Sequence, residues 1–289
     1  MRKKDGKSSW QIGEFELIPL PDGSNWASLE KFGVQGASID EVEAALEAAG
    51  LPIDKIQTTF APLLLKRGEE NILIDTGFGP DPKFKPPTAD QGALHEHPEF
   101  DYANTQIVII SHFHPDHVNG LIADGKSLFP SARILVPRVE WDFWMNDAHA
   151  AQASPGRMQN LFNINQQVLA VVRDQVELFD WESEVIPGIT AIGTPGHSAG
   201  HTSFMIDSGG DQLFFQADLT NQPPLFVAHP TWSAFFDQYP EIALISRIKT
   251  YDELARTKTK IYGFHHPYPG MSVIEKSGSG YVCVPVDPD

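Results

Sequence analysis

Short strand-like runs interleaved with a few segments of helical period predict an α/β or α+β layered protein and argue against an all-β sandwich. The runs last about four to seven residues and close on Gly, Pro, Asp or Ser, as strand ends do. With 41% hydrophobic residues in 289, the chain has ample material for a core, and it is expected to form one domain over residues 1–289.

In chain order the strand-like runs are FELIPL (15–20), TFAPLLLK (59–66), NILIDTG (71–77), QIVIIS (106–111) and ARILVP (132–137). QVELFD (175–180), ITAIGT (189–194), TSFMID (202–207), QLFFQAD (212–218), TKIYGF (259–264) and GYVCVPV (280–286) follow. Helical period appears first in SIDEVEAALEAAG (38–50), where Ser38 is placed to cap, Glu41 sits three residues on and Gly50 can close the end. RVEWDFWMNDA (138–148), MQNLFNINQQVLAVVRDQ (158–175) and QYPEIALISRIKTYDELART (238–257) are further helices, the last with Pro240 near its first turn. Gly79 to Tyr102 is rich in Pro, Gly and polar residues and reads as one long loop.

Composition excludes several classes. A balance of 21 Lys+Arg against 38 Asp+Glu gives a formal charge of −17, which disfavours nucleic acid and anionic membrane partners. Cys283 is the only cysteine, so neither an internal disulfide nor a cysteine-based zinc knot can form. The basic start MRKKDGKSSW has no apolar stretch behind it, and cytoplasmic location is the expectation. A chain trimmed of a leader would read the same.

SHFHPDHVNG (111–120) concentrates the chemistry. His112 and His114 alternate at the end of an extended run, so both imidazoles can project to one side. Pro115 turns the chain and lets Asp116 and His117 present a second set of donors. Four donors in six residues suit part of a metal site, whose remaining N/O ligands must come from elsewhere. His197, Asp218 and either His265 or His266 are candidates, each following a strand-like run. Neutral imidazole and carboxylate suit zinc and its first-row neighbours.

His112, His114, Asp116 and His117 match His-x-His-x-Asp-His, and the chain resembles the metallo-β-lactamase-fold hydrolases. Ile74 to Gly77 (IDTG) matches another recurring element of that family. The resemblance implies a four-layer αβ/βα sandwich, two mixed sheets with outer helices, and a centre of two divalent metals at one edge, zinc first and Co, Mn or Fe as alternatives. Carried over, His112, His114 and His197 would hold the first metal and Asp116, His117 and His265 the second, with Asp218 bridging and Asp116 also carrying protons. Asp75 would support the ligand loop by hydrogen bonds, and His201 would serve as a hydrogen-bonding residue.

Residues 12–23 and 265–286 resemble the methyl parathion hydrolase and lactonase group, which favours His265 over His266 as ligand. That resemblance implies hydrolysis of a lactone or carboxylic ester, N-acyl homoserine lactones being the first guess, and a homodimer. Organophosphate triester hydrolysis is the alternative, and a non-catalytic metal-binding protein is the alternative of another class. Some lactonases of the superfamily carry a carbonyl-assisting tyrosine three residues after the bridging aspartate, and here that place holds Asn221. Asn221, Phe226, Trp232, His266 and Trp144 are the expected substrate-pocket residues, and Trp26 and Phe32 the expected lid or dimer contacts.

Overall fold

The structure, a computed structural model, describes residues 9–81, 83 and 90–287. Its frame is two seven-stranded sheets. The first contains β1 (Trp10–Ile12), β2 (Phe15–Pro19), β3 (Leu63–Arg67), β4 (Glu70–Ile74), β5 (Ile107–Ile109), β6 (Arg133–Pro137) and β7 (Val176–Phe179), lying side by side in chain order. The second contains β8 (Glu184–Ile186), β9 (Ile189–Gly193), β10 (Thr202–Ser208), β11 (Asp211–Phe215), β12 (Lys260–Tyr262), β13 (Met271–Ser277) and β14 (Gly280–Pro285), again in chain order. Both are mixed: β4, β5, β6 and β7 run parallel, as do β11 and β12, and the other neighbours are antiparallel.

The side-chain period of two explains the layering. Along β3, Leu63 and Leu65 enter the core shared by the two sheets, while Leu64 points to the opposite side. Ile72 and Ile74 against Leu73 repeat this on β4, and Ile107 and Ile109 against Val108 on β5. The second sheet sends Phe204, Ile206, Leu213 and Phe215 into the shared core and Phe214 and Ile261 outward.

Helices cover the outward rows. Among the described residues there are seven α-helical segments: α1 (Leu29–Phe32), α2 (Ile39–Ala48), α3 (Pro115–Val118), α4 (Arg138–Trp144), α5 (Asp147–Gln152), α6 (Arg157–Val172) and α7 (Pro240–Thr257). Leu161, Phe162, Val168 and Leu169 of α6 seal the first sheet, and Tyr251 and Leu254 of α7 seal the second. The result is the four-layer αβ/βα arrangement, with strands buried on both faces, which is why they read as near-continuous apolar runs. Among the described residues no helix is long and apolar enough to cross a membrane.

Several elements differ from the sequence reading. TFAPLLLK is two strands, not one: Lys55–Phe60 pairs with Gly23–Ser28 in a separate three-stranded ribbon, and only Leu63–Arg67 enters the main sheet. Pro62, with no N–H to give a ladder, stands at the break. The 138–148 segment splits at Asn146, whose side chain accepts from Ala148 N and His149 N and starts α5. The reading at α2 stands, since Ser38 accepts from Glu41 N and Glu41 Oε2 accepts from Ser38 N at 2.8 Å. Parts of the long loop (82 and 84–89) and the first eight residues lie outside the described residues, and Asp90–Gln91 adds to the ribbon.

The IDTG element ties the first sheet to the loop that follows its central strand. Thr76 N and Thr76 Oγ1 both donate to His117 O, and Gly120 N donates to Gly77 O at 3.0 Å. Gly77 has φ +68, and a Cβ there would lie 2.4 Å from Asp22 Oδ2, so both its conformation and its space demand glycine. At Gly120 a Cβ would lie 2.0 Å from Thr76 O. Gly120→Ala is therefore expected to lower stability by about 1–3 kcal/mol, read from the urea unfolding midpoint.

Candidate metal centre

Ligand-bearing segments leave the strands β5, β9, β11 and β12 and meet at one edge of the sandwich. After β5 the chain stays extended through His112 and His114, and Pro115 then begins the single-turn helix α3, which presents Asp116 and His117. His197 follows β9, Asp218 follows β11 and His265 follows β12.

Two groups of donors form. His112, His114 and His197 make one, and Asp116, His117, Asp218 and His265 the other, the ligand atoms in each lying within 4.8 Å of one another. In the first, His114 Nδ1 is 3.1 Å from His112 Nε2 and 2.8 Å from His197 Nε2. In the second, His265 Nε2 is 3.0 Å from Asp218 Oδ2 and 3.3 Å from Asp116 Oδ2. Asp218 stands between the groups: Oδ2 also lies 3.2 Å from His197 Nε2, and Oδ1 lies 3.1 Å from His117 Nε2. Donors at such separations match the edge, about 3.3 Å, of a tetrahedron with metal–nitrogen bonds of about 2.0–2.1 Å.

The tautomers of four imidazoles fit cations. Thr59 O can only accept, so the 2.7 Å contact to His265 Nδ1 places that proton on Nδ1 and leaves Nε2 as a lone pair. Asp75 Oδ2 takes the Nδ1 proton of His117 at 2.8 Å, and Asp237 Oδ1 that of His197 at 2.9 Å. Ser111 Oγ donates to Asp75 Oδ2 and so accepts from His112 Nδ1 at 3.0 Å. His117 Nε2 and Asp218 Oδ1 are buried with no hydrogen-bond partner. Lone pairs facing one another across about 3 Å are what two divalent ions would relieve, and the residues present fit such ions.

Charge supports the same arrangement. Burial opposes ionisation of Asp116 and Asp218, but the positive charge that His117, His197 and His265 can carry outweighs it and holds both carboxyls well below the usual carboxylate range, a charge that two bound cations would supply in place of those protons. Two neighbouring histidines behave differently. Burial pulls both His201 and His266 down to about 3, so each is a neutral hydrogen-bonding group. His201 donates to Thr194 O and accepts from Asp218 N at 3.0 Å, while His266 accepts from Gln216 Nε2 at 2.7 Å. Geometry thus brings His265, not His266, into the cluster. His95, His97, His149 and His229 lie outside both groups.

A cleft of about 450 Å³ opens over the donors. Asn221 lines it, as expected, but the other expected pocket residues do not. Trp144 is wholly buried against Phe162 and donates Nε1 to Glu140. The turn Pro223–Val227 swings Phe226 inward, between Phe32 and the Arg247 guanidinium. Trp232 stacks on His229 at 3.9 Å in that same cluster, and His266 sits behind the donors under Gly263. Trp26, 45% exposed on the ribbon, and Phe32 reach the cleft, joined by Phe60, Phe78, Phe235 and Phe236.

Three supporting carboxylates shape the site, and two of them the sequence did not disclose. Asp75, placed by its motif, accepts from Ser111 N, Ser111 Oγ and His117 Nδ1. Glu140 accepts from Phe113 N, Ser198 Oγ and Gly200 N, so it clamps the 112–114 segment to the 197–201 loop. Burial pushes its carboxyl up and these donors oppose the rise. Asp237 holds His197 and lies 3.5 Å from buried Arg247, which donates to Leu219 O, Pro230 O and Trp232 O and pins the whole loop after Asp218.

A two-sheet sandwich with paired His/Asp clusters at its edge defines a protein built to hold two divalent metals beside an apolar cleft. The chain belongs to the metallo-beta-lactamase superfamily, whose sequence profile matches residues 62–266. It is 30% identical over 164 residues to the N-acyl homoserine lactonase AiiA of Bacillus thuringiensis subsp. kurstaki, and 31% over 169 residues to an N-acyl homoserine lactonase of a Bacillus species. Those alignments take in 55% of this chain and 54% of the relative, so the chain spans about half the length of the curated relatives it matches. The solved structure of AidC, described as a dizinc quorum-quenching lactonase with a product bound, superposes with a TM-score of 0.89 at 28% identity over 98% of both chains. The hydrolase AbOPH shares the fold, with a TM-score of 0.88 at 23% identity over the full length of both.

Asp237→Asn keeps the shape but weakens the hold on His197, and zinc affinity measured by chelator competition is expected to fall about 10–100-fold. Asp218→Ala removes the carboxylate that stands between the two groups, and elemental analysis is expected to find fewer than two metals per chain.

Proposed function

We propose that this chain is a dinuclear zinc hydrolase that opens lactones, N-acyl homoserine lactones foremost. The observation that carries this is the convergence of seven donors, His112, His114, Asp116, His117, His197, Asp218 and His265, five of which (all but the buried His112 and His117) line a cleft that aromatic rings help to wall. The similarity to lactonases supports the same reading. Two divalent ions, when bound, supply Lewis acidity toward the ester carbonyl and a water ionised near neutral pH.

The chain's own residues do the rest. Opening a lactone adds water across the acyl C–O bond, so one proton must travel from the attacking water to the ring oxygen. Asp116 is placed for that transfer: it is a donor of the second group, its side chain is 15% exposed, and it lines the cleft. Asn221 lines the cleft with Asp218 and His265, and its Oδ1 is buried without a hydrogen-bond partner. Oδ1 can only accept, so it is the carboxamide Nδ2 that serves to orient the ester carbonyl. Phe60 and Phe78 pack edge to face at 5.0 Å and keep the wall dry and apolar, as an acyl chain requires.

The test is a panel of N-acyl lactones of varied acyl length, aryl esters, phosphotriesters and β-lactams, run with zinc-reconstituted protein. The highest kcat/KM is expected on N-acyl lactones, and faster turnover of phosphotriesters or aryl esters would overturn the assignment. Asp116→Asn retains an oxygen donor but cannot take a proton, and kcat is expected to fall about 10²-fold or more, with metal content measured alongside.

A further inference from the structure

Arg157 lines the cleft yet has no partner that would explain it. In a chain of net charge −17, Arg67, Arg133, Arg138, Arg247 and Arg256 each lie against a carboxylate. Arg157 forms no hydrogen bond or ion pair with the described residues. Its position is also wrong for helix stability. It is the first residue of the sixteen-residue α6, where the helix dipole disfavours a cation and where no acidic residue offsets it.

What holds the group is an aromatic ring. The guanidinium carbon lies 5.8 Å from the centre of Phe235, itself half exposed at the mouth of the cleft. From there Arg157 feels the charges of Asp116 and Asp237, and its own charge reaches His114. One turn along α6, Leu161 also faces the cleft. Lys31 is the other cation on the lining, but Arg157 alone presents a planar fork of donors fixed by stacking.

We infer that Arg157 is a specificity-determining residue: it binds a neutral carbonyl oxygen on the substrate, close to the bond that is cut and on the side of the apolar tail. This rests on the lactone reading above and adds to it. A carbonyl suits the site better than a carboxylate, because the remaining wall is mostly apolar and the protein's field repels anions. The group selected is thus an acylamino substituent on the ring, which a simple alkyl lactone lacks.

The experiment compares an N-acyl homoserine lactone with a γ-alkyl lactone of equal chain length, using zinc-loaded wild type, Arg157→Met and Arg157→Lys. Arg157→Met is expected to raise KM for the N-acyl lactone at least tenfold, with kcat and the alkyl lactone changed less than threefold and both metals retained. Arg157→Lys recovers part of the loss. Equal losses on both substrates, or no loss on either, would overturn the inference and leave the lactone reading intact. Wild type that opens alkyl lactones but no N-acyl lactone would overturn the inference together with the N-acyl preference, and leave only lactone opening. Wild type that opens neither removes the lactone reading and this inference together.

Discussion

Everything in this fold answers one electrostatic constraint: imidazole and carboxylate lone pairs are held about 3 Å apart, facing one another on largely buried groups at the floor of a cleft. Such a cluster repels itself until cations enter, so the protein must supply the restraint. It does so on the far side of four of the five rings. Thr59 O, Asp75, Asp237 and Ser111 take the remaining Nδ1 protons, and each belongs to an element anchored in or beside a sheet. Rigidity comes from strands sealed on both faces, and the donors sit where those strands end.

Much of the frame was legible because its signals are local. Continuous apolar runs along β3, β4 and β5 announce two buried faces, and six residues around Pro115 announce two donor sets. The capping pair Ser38 and Glu41 likewise declares α2. Asp237 was hidden for the opposite reason: it meets His197 across forty positions, and nothing in its neighbourhood has a period or spacing that says so. Glu140 lay unnoticed inside a helix whose aromatic residues drew attention instead.

The pocket was the least legible part, for a reason visible at Phe226, Trp232 and Trp144. A large aromatic following a ligand reads equally well as wall or as core, and the choice depends on which way a turn faces. The Pro223–Val227 turn sends Phe226 beneath Arg247, where stacking on a guanidinium and burial against Phe32 hold it. The wall is instead built by Phe60, Phe78, Phe235 and Phe236, from segments distant in sequence that only the tertiary arrangement brings together. Pro62 compounds the difficulty, since it separates the ribbon carrying Phe60 from the sheet carrying Leu63 within a single apolar run.

That ribbon, with α1 and the first turn of α6, contributes walls to the cleft and none of the seven donors. The donors and their proton-taking supports hang almost entirely from the two sheets and the loops at their ends, with Thr59, through O and Oγ1, tying the ribbon to the turn that carries His265. Reactivity and choice of substrate are therefore written on separate stretches of chain. A lineage can rewrite Gly23–Ser28 or the start of α6 and acquire a new diet while inheriting its chemistry unchanged.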